Sequence, residues 1–226
     1  MLQKIMLKSF KNFFKYFKRE RFYIIFKTFL DVLFSIVFII IGSPLFLLII
    51  LLIKFSSRGP ILFCHKRIGK NNKPFNCLKF RTMHPEADSI LDNLLENNLA
   101  LRKEFEKTQK IKNDPRITVI GKILRKTSLD ELPQFINVLR LEMSIVGPRP
   151  IVESEIIKYG SIISKVHSIK PGITGLWQVS GRNNLSYQRR VSLDCLYVNN
   201  ISLLIDLRII LRTLGVILFP HDRGAY

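Results

Sequence analysis

Residues 32–53 read VLFSIVFIIIGSPLFLLIILLI, 22 uncharged positions in a row, enough for one helix to cross a bilayer. Two features of the stretch argue against a simple crossing. Gly42-Ser43-Pro44 stands at its middle. Pro44 has no N–H to offer the carbonyl of Ile40 and its ring crowds that carbonyl, so a helix is expected to break there. Ser43 could cap the second half or bond to the freed carbonyls. The flanks also object: Lys4 to Lys27 precede the stretch and Lys54 to Lys73 follow it. A crossing would place one basic flank outside, against the positive-inside tendency. A helix broken at Ser43-Pro44 that enters and leaves by one leaflet satisfies both constraints; a kinked crossing is the alternative.

Upstream, residues 1–27 hold eight Lys or Arg against the single acid Glu20, interleaved with Phe and Tyr. A disordered basic tail is one reading. An interfacial helix, with rings among the headgroups and cations on anionic lipid, fits the interleaving better. A cleaved signal peptide is not indicated, because the basic region is too long and no small-residue cleavage pattern follows the apolar run.

The whole chain of 226 residues carries a formal charge of +19, which excludes cationic partners and leaves nucleic acid, anionic lipid and phosphorylated metabolites open. Cys64, Cys77 and Cys195 lack metal-ligand spacing and cannot all pair, so they read as small buried apolar residues in a reducing compartment. The four histidines are scattered, and none is picked out as catalytic.

The chemistry concentrates between Asn113 and Pro150, NDPRITVIGKILRKTSLDELPQFINVLRLEMSIVGPRP. Asp130 and Glu131 lie side by side among cations, with Arg116, Lys122, Arg125 and Lys126 before them and Arg140 and Arg149 after. Adjacent carboxylates in a basic setting suit a metal-bound phosphate: they can hold Mg²⁺ or attack phosphorus, while the cations neutralise phosphoryl oxygens. Ser128-Leu129-Asp130-Glu131 also matches a capping box, with Ser128 as N-cap and Glu131 reaching back to it. A helix N-terminus at this point would favour an ionised Asp130 and a bound phosphate alike.

Around this centre the reading is coarser. Leu62-Phe63 and Asn76 to Met83 read as strands flanking a Gly-, Asn- and Pro-rich hairpin tip, with Lys79 and Arg81 on one face. That face is either a solvated strand surface or part of the phosphate site. Pro85 to Lys112 reads as one or two amphipathic helices without chemistry. Ser144 to Pro150 is a rigid turn that fixes where Arg149 points. The loop Lys170 to Asn183 holds Gly172, Gly175 and Gly181, suited to close approach of a phosphate or ribose. It also carries Arg182 and the single tryptophan, Trp177, which either packs in the core or stacks on a base. Ile201 to Leu218 reads as a helix lying on the bilayer, since Asp206, Arg208 and Arg212 make a deep span expensive.

In order along residues 27–218, these motifs resemble the bacterial sugar transferases, the monotopic polyprenyl-phosphate phosphoglycosyltransferases. The resemblance rests on Ser43-Pro44, Lys79-Phe80-Arg81-Thr82-Met83, Asp114-Pro115-Arg116, Arg125 with Thr127 to Gln134, Val146 to Pro150, and Lys170 to Gly175 with Gly181-Arg182. It implies the family's short form, without the extra membrane helices of longer relatives. The implied reaction has Asp130 attack the β-phosphorus of a UDP-sugar, release UMP, and pass the sugar phosphate to undecaprenyl phosphate. Glu131 matches the Mg²⁺ ligand; Lys79, Arg125, Arg149 and Arg182 match cations on substrate phosphates, and Arg81 is taken with them. Ser43 and Pro44 match the membrane-helix break that keeps the site at the cytosolic face of the bacterial inner membrane.

The expected fold is therefore α+β and mostly helical. A basic extension (1–27), a re-entrant membrane helix hairpin (28–56) and a catalytic domain (57–226) follow one another, the last with a short β-hairpin and amphipathic interfacial helices. Anionic membrane lipids are expected partners, nucleic acid is not, and a homodimer is left open. Two other functions fit parts of the pattern. A membrane-tethered basic adaptor explains the charge and the anchor but not the acid pair, and a hydrolase would pass the phosphoryl-aspartate to water.

Overall fold

The computed structural model describes the backbone of residues 2–108, 111, 114–181 and 184–218, and within it the side chains from residue 22 onward apart from 100, 104 and 106–108. Helix α1 (Leu2–Ser56) is followed by an antiparallel hairpin, β1 (Leu62–Ile68) and β2 (Pro74–Phe80), paired in register from Leu62–Phe80 to Ile68–Pro74. Helices α2 (Ala87–Asn97) and α3 (Leu99–Thr108) occupy the segment expected to hold one or two. Then come α4 (Val119–Thr127), α5 (Gln134–Leu139), β3 (Ser144–Val146), α6 (Ile156–Tyr159), α7 (Ile163–Val166), β4 (Gly172–Thr174), α8 (Tyr187–Asn199) and α9 (Leu203–Leu218). Strands β3 and β4 form a short parallel pair. The expected mostly helical α+β architecture with a small hairpin is the one observed.

The expected break at Ser43-Pro44 requires correction. Pro44 lies inside helix α1, whose helical backbone runs on to Ser56 without interruption. Proline removes one rung of the hydrogen-bond ladder, and packing on either side holds the rest. Phe38 stacks on Phe135 at 4.2 Å between ring centroids, and Phe46 meets Phe80 edge-on at 5.9 Å. Residues at helical spacing, Lys27, Asp31, Ser35, Ile49 and Ile53, are buried along one stripe of α1, while Ile40, Ile41, Leu47 and Phe55 are exposed. Residues 27–35 and 49–53 of this helix therefore dock on the same body.

A buried polar network fastens the stretch around Lys27. Lys27 Nζ donates to Asp206 Oδ2 at 2.6 Å, Tyr23 OH donates to the same oxygen at 2.7 Å, and Tyr197 OH donates to Asp206 Oδ1 at 2.7 Å. Ser144 Oγ donates to Asp31 Oδ2 at 2.6 Å. Lys27, assigned from sequence to the lipid-facing extension, is thus an internal residue; the side chains before Phe22 lie outside the described residues. Asp206 likewise points inward. Leu204, Leu207, Leu211, Leu214 and Leu218 of α9 form an exposed stripe at helical spacing, bordered by Arg208 and Arg212. That is the amphipathic surface helix expected there.

Arg81 fastens the other end. Its guanidinium donates to Ser57 O at 2.8 Å, Ser57 Oγ at 3.0 Å and Ile53 O at 3.4 Å, and also bonds Pro60 O. A cation on the last carbonyls of a helix meets the negative end of its dipole. The β2 strand is in this way tied to the end of α1.

Candidate active site

Helix α4 starts at Thr118, whose Oγ1 accepts the Gly121 N–H at 2.9 Å. It stops at Ser128, which turns left-handed (φ 59) and donates its N–H to the carbonyls of Arg125 and Leu124. A single 3₁₀ turn, Leu129–Glu131, follows before Pro133 leads into α5. The capping box is corrected accordingly. Ser128 closes α4 and leads only into the 3₁₀ turn, and its side chain makes no capping bond there. The acid pair therefore sits on a tight turn between helices.

Asp130 is buried, 8% exposed, and Glu131 is half-buried. Lys79 arrives from β2, placing Nζ 2.6 Å from Glu131 Oε1 and 3.7 Å from Asp130 Oδ2. Arg125, one turn before the pair, donates from Nε to Thr82 Oγ1 at 2.9 Å. Burial raises the Asp130 carboxyl above the ordinary range; Glu131 adds to that rise, while Lys79 and Arg125 oppose it.

Arg149 projects from the turn after β3, its guanidinium 5.6 Å from the centroid of Trp177, which Arg190 of α8 also overlies at 5.0 Å. Trp177 is buried, 3% exposed, so the core reading holds: it is the platform for two arginines. Behind it, Asp194 is fully buried, accepts a hydrogen bond from Tyr159 OH at 2.9 Å, and lies against the backbone of Arg149. The glycines of the 170s loop serve the chain itself. A Cβ on Gly172 would sit 2.1 Å from Gly147 N, and one on Gly175 would sit 2.3 Å from Gly147 O. They let two backbones touch, where sequence suggested room for a ligand.

One cavity of about 800 Å³ gathers Lys79, Arg81, Arg125, Asp130, Glu131 and Arg149. Arg182 lies outside the described residues. Arg81 reaches the wall with the guanidinium already engaged by α1 carbonyls. Sequence reading missed other lining residues, among them His65 and Arg67 of β1. Arg67 donates to Pro150 O at 3.3 Å and lies 3.8 Å from Glu155 Oε2, bracing the Arg149 turn. Burial first, then the cations Arg67, Lys79 and Arg149, push His65 below its usual range. The alternation of β1, which puts His65 and Arg67 on one face, was the available signal. Of the cysteines, Cys77 is buried with its thiol pushed up to about 11, whereas Cys64 is exposed, against expectation.

For a divalent cation, the donor set is two adjacent carboxylates; no cluster of three or more His, Cys, Asp or Glu exists among the described residues. That set fits Mg²⁺, which is commonly held by one or two carboxylates together with substrate phosphates. It would not form a closed structural metal site.

A family model described as bacterial sugar transferase matches residues 22–220. The exopolysaccharide production protein ExoY of Sinorhizobium fredii is 50% identical over 196 residues, covering 87% of this chain and 86% of that protein. The undecaprenyl-phosphate galactose phosphotransferase of Salmonella typhimurium is 47% identical over 197 residues, 87% of this chain and 40% of the longer relative. The UDP-glucose:undecaprenyl-phosphate glucose-1-phosphate transferase of Klebsiella pneumoniae is 39% identical over 197 residues, 84% of this chain and 39% of the relative.

Proposed function

The chain belongs to the bacterial sugar transferase family and is a phosphoglycosyltransferase, and on that premise we propose that it moves a sugar 1-phosphate from a UDP-sugar to undecaprenyl phosphate. The observation that carries this reading is the Asp130–Glu131 pair set against Lys79 in a cavity that also holds Arg125 and Arg149. An Asp130 oxygen attacks the β-phosphorus. A P–O bond forms, the bond from that phosphorus to the bridging oxygen breaks, and UMP leaves with the bridging oxygen. An oxygen of undecaprenyl phosphate then attacks the same phosphorus. The carboxyl–phosphate bond breaks, and Asp130 is restored as a carboxylate.

Lys79 lies close enough to both carboxylates to offset charge as phosphate oxygens enter, and Arg125 and Arg149 sit where the diphosphate must pass. Mg²⁺, held by Glu131 with the donor's phosphate oxygens, would supply further charge neutralisation. Arg182 joins this set by position in the motif alone.

Helix α1 supports a monotopic placement in spite of its continuity. Docking at Lys27–Asp206 and again at Ile53–Arg81 lays the helix along the catalytic body, so a crossing would drag that body into the hydrocarbon. A helix whose outer face lies in one leaflet keeps the site at the cytosolic surface of the inner membrane, with Arg208 and Arg212 beside anionic headgroups.

Incubation of the purified protein with Mg²⁺ and a panel of UDP-sugars, with and without undecaprenyl phosphate, tests the proposal. UMP is expected in multiple turnovers only when lipid is present. Release indifferent to lipid would make the protein a hydrolase, and no UMP with any donor would leave an adaptor.

A further inference from the structure

The β1–β2 hairpin offers the cavity one group that the reaction above leaves idle. In its register Phe63 pairs with Lys79, His65 with Cys77 and Arg67 with Phe75. Strand alternation therefore puts His65 on the face that carries Lys79, one cross-strand step along from it. His65, Arg67, Lys79 and Arg149 all line the cavity. Arg67 Nη2 lies 3.3 Å from His65 Nδ1. A guanidinium can only donate, so Nδ1 is the acceptor and the ring carries its proton on Nε2. Phe63 meets the same ring edge-on at 5.8 Å between centroids. His65 is half-buried, and among the described residues no group accepts from its Nε2.

The field at this ring is positive: Arg67, Lys79 and Arg149 act on it, with Glu155 opposing. Glu155 is already engaged, accepting the Val152 N–H at 3.0 Å and lying 3.8 Å from Arg67. Lys79 is matched by Glu131 at 2.6 Å. Arg149 lies on the face of Trp177 and forms no ion pair among the described residues. An anion with an acceptor oxygen for Nε2–H completes this arrangement. With the β-phosphoryl group at Asp130, the donor's second phosphate answers that description, whereas the sugar is uncharged and has no use for the cations. We propose that His65 Nε2–H, together with Arg149, binds the α-phosphate of the UDP-sugar and holds it as UMP departs; this deepens the transferase reading and rests on it. Charge builds on that phosphate as the bridging oxygen leaves, so the contact strengthens toward the transition state. Arg67 is the positioning residue, keeping the proton on Nε2. The acceptor's phosphate shares this chemistry and is the competing occupant.

Two inhibitors that differ by that phosphate, UMP and uridine, test the contact on the full chain in nanodiscs. Transfer of radiolabel from the UDP-sugar to undecaprenyl phosphate is followed in the presence of each, for the parent, His65→Ala and His65→Gln. His65→Ala should weaken inhibition by UMP and raise the donor KM by about ten- to a hundredfold, the loss of one hydrogen bond to a charged group. Inhibition by uridine and the acceptor KM should not change. His65→Gln restores an N–H donor and should recover part of the loss; glutamine no better than alanine counts against the proposal. The ratio of the two inhibition constants is read on one protein, so partial unfolding does not disturb it, and His65→Leu replaces alanine if that variant does not fold. Arg67→Met should lower the ratio less in the His65→Ala background than in the parent, and equal losses would overturn its positioning role. Equal weakening of uridine and UMP places the contact on the nucleoside. A raised donor KM with UMP inhibition intact places it on the sugar, and a raised acceptor KM alone places it on the lipid phosphate. Each of these overturns the proposal, while labelled lipid formed by the parent keeps the transferase reading standing. No labelled lipid with any donor brings both down.

Discussion

Lys79 is bound to Glu131 at 2.6 Å and stands back from Asp130 at 3.7 Å. One ammonium, delivered from a strand 52 residues earlier in the chain, thus makes two neighbouring acids unequal. Glu131 has its charge matched by close contact, whereas Asp130 is the more buried of the two and is raised by that burial. The first carboxylate is held in place, and the second, which also lines the cavity, is the one proposed to attack.

The pH profile follows from that inequality. Asp130 must be ionised to attack, so kcat/KM for UMP release should climb through an acid limb lying above the ordinary aspartate range. Lys79 opposes the rise, so Lys79→Met should move the limb further toward alkaline pH, as well as lowering the plateau. A limb that stays where it was would detach Lys79 from Asp130.

Asp130→Asn keeps the size of the side chain and removes its nucleophilic oxygen. Turnover should fall by about a thousandfold or more, with no sugar-phosphate adduct detectable on the protein by mass spectrometry after quenching. Near-normal UMP release by this variant would refute the assignment.

Arg81 distinguishes two roles by two readouts. With its donors on Ile53 O and Ser57, Arg81→Met should destabilise the protein by about 2–4 kcal/mol and lower Tm by roughly 5–10 °C. If the side chain instead acted on substrate, the donor KM would rise with Tm unchanged.

Asp194 predicts a pH-dependent stability. Its carboxyl ionises near 3.8 when unfolded and is pushed up to about 7 in the fold by burial. Between those values the folded protein binds more protons than the unfolded chain, so this group's contribution is fully present below about pH 4 and is lost as pH rises toward 7. Asp194→Asn stays neutral throughout and can still accept from Tyr159. Its Tm relative to the parent should therefore increase with pH across that window, and a constant difference would contradict the assignment.

What could be read in the sequence was what depends on neighbours in the chain. The acid pair, the hairpin around Lys70–Asn72, the two helices after Pro85 and the outward leucines of α9 all announce themselves within a few residues. Ser128 to Glu131 shows where that stops. The same four residues suit a helix start or a left-handed stop followed by a 3₁₀ turn, and the choice falls to Lys79, which takes Glu131 away from any cap. Pro44 is a local rule overruled by Phe38 and Phe46, whose partners come from distant elements. His65, Arg67 and Arg190 join the site only because a strand and a helix carry them there, and Gly172 is small to suit Gly147.

The bond between Lys27 and Asp206 joins residues 179 positions apart. The ribosome therefore releases the anchoring helix long before the residue that neutralises it exists. Through most of synthesis Lys27 has only Asp31 for company, 3.7 Å away in the finished protein, and the hydrophobic stripe beside it waits without a seat. Locking of the first helix is thus a closing event of biogenesis, set by the emergence of the last.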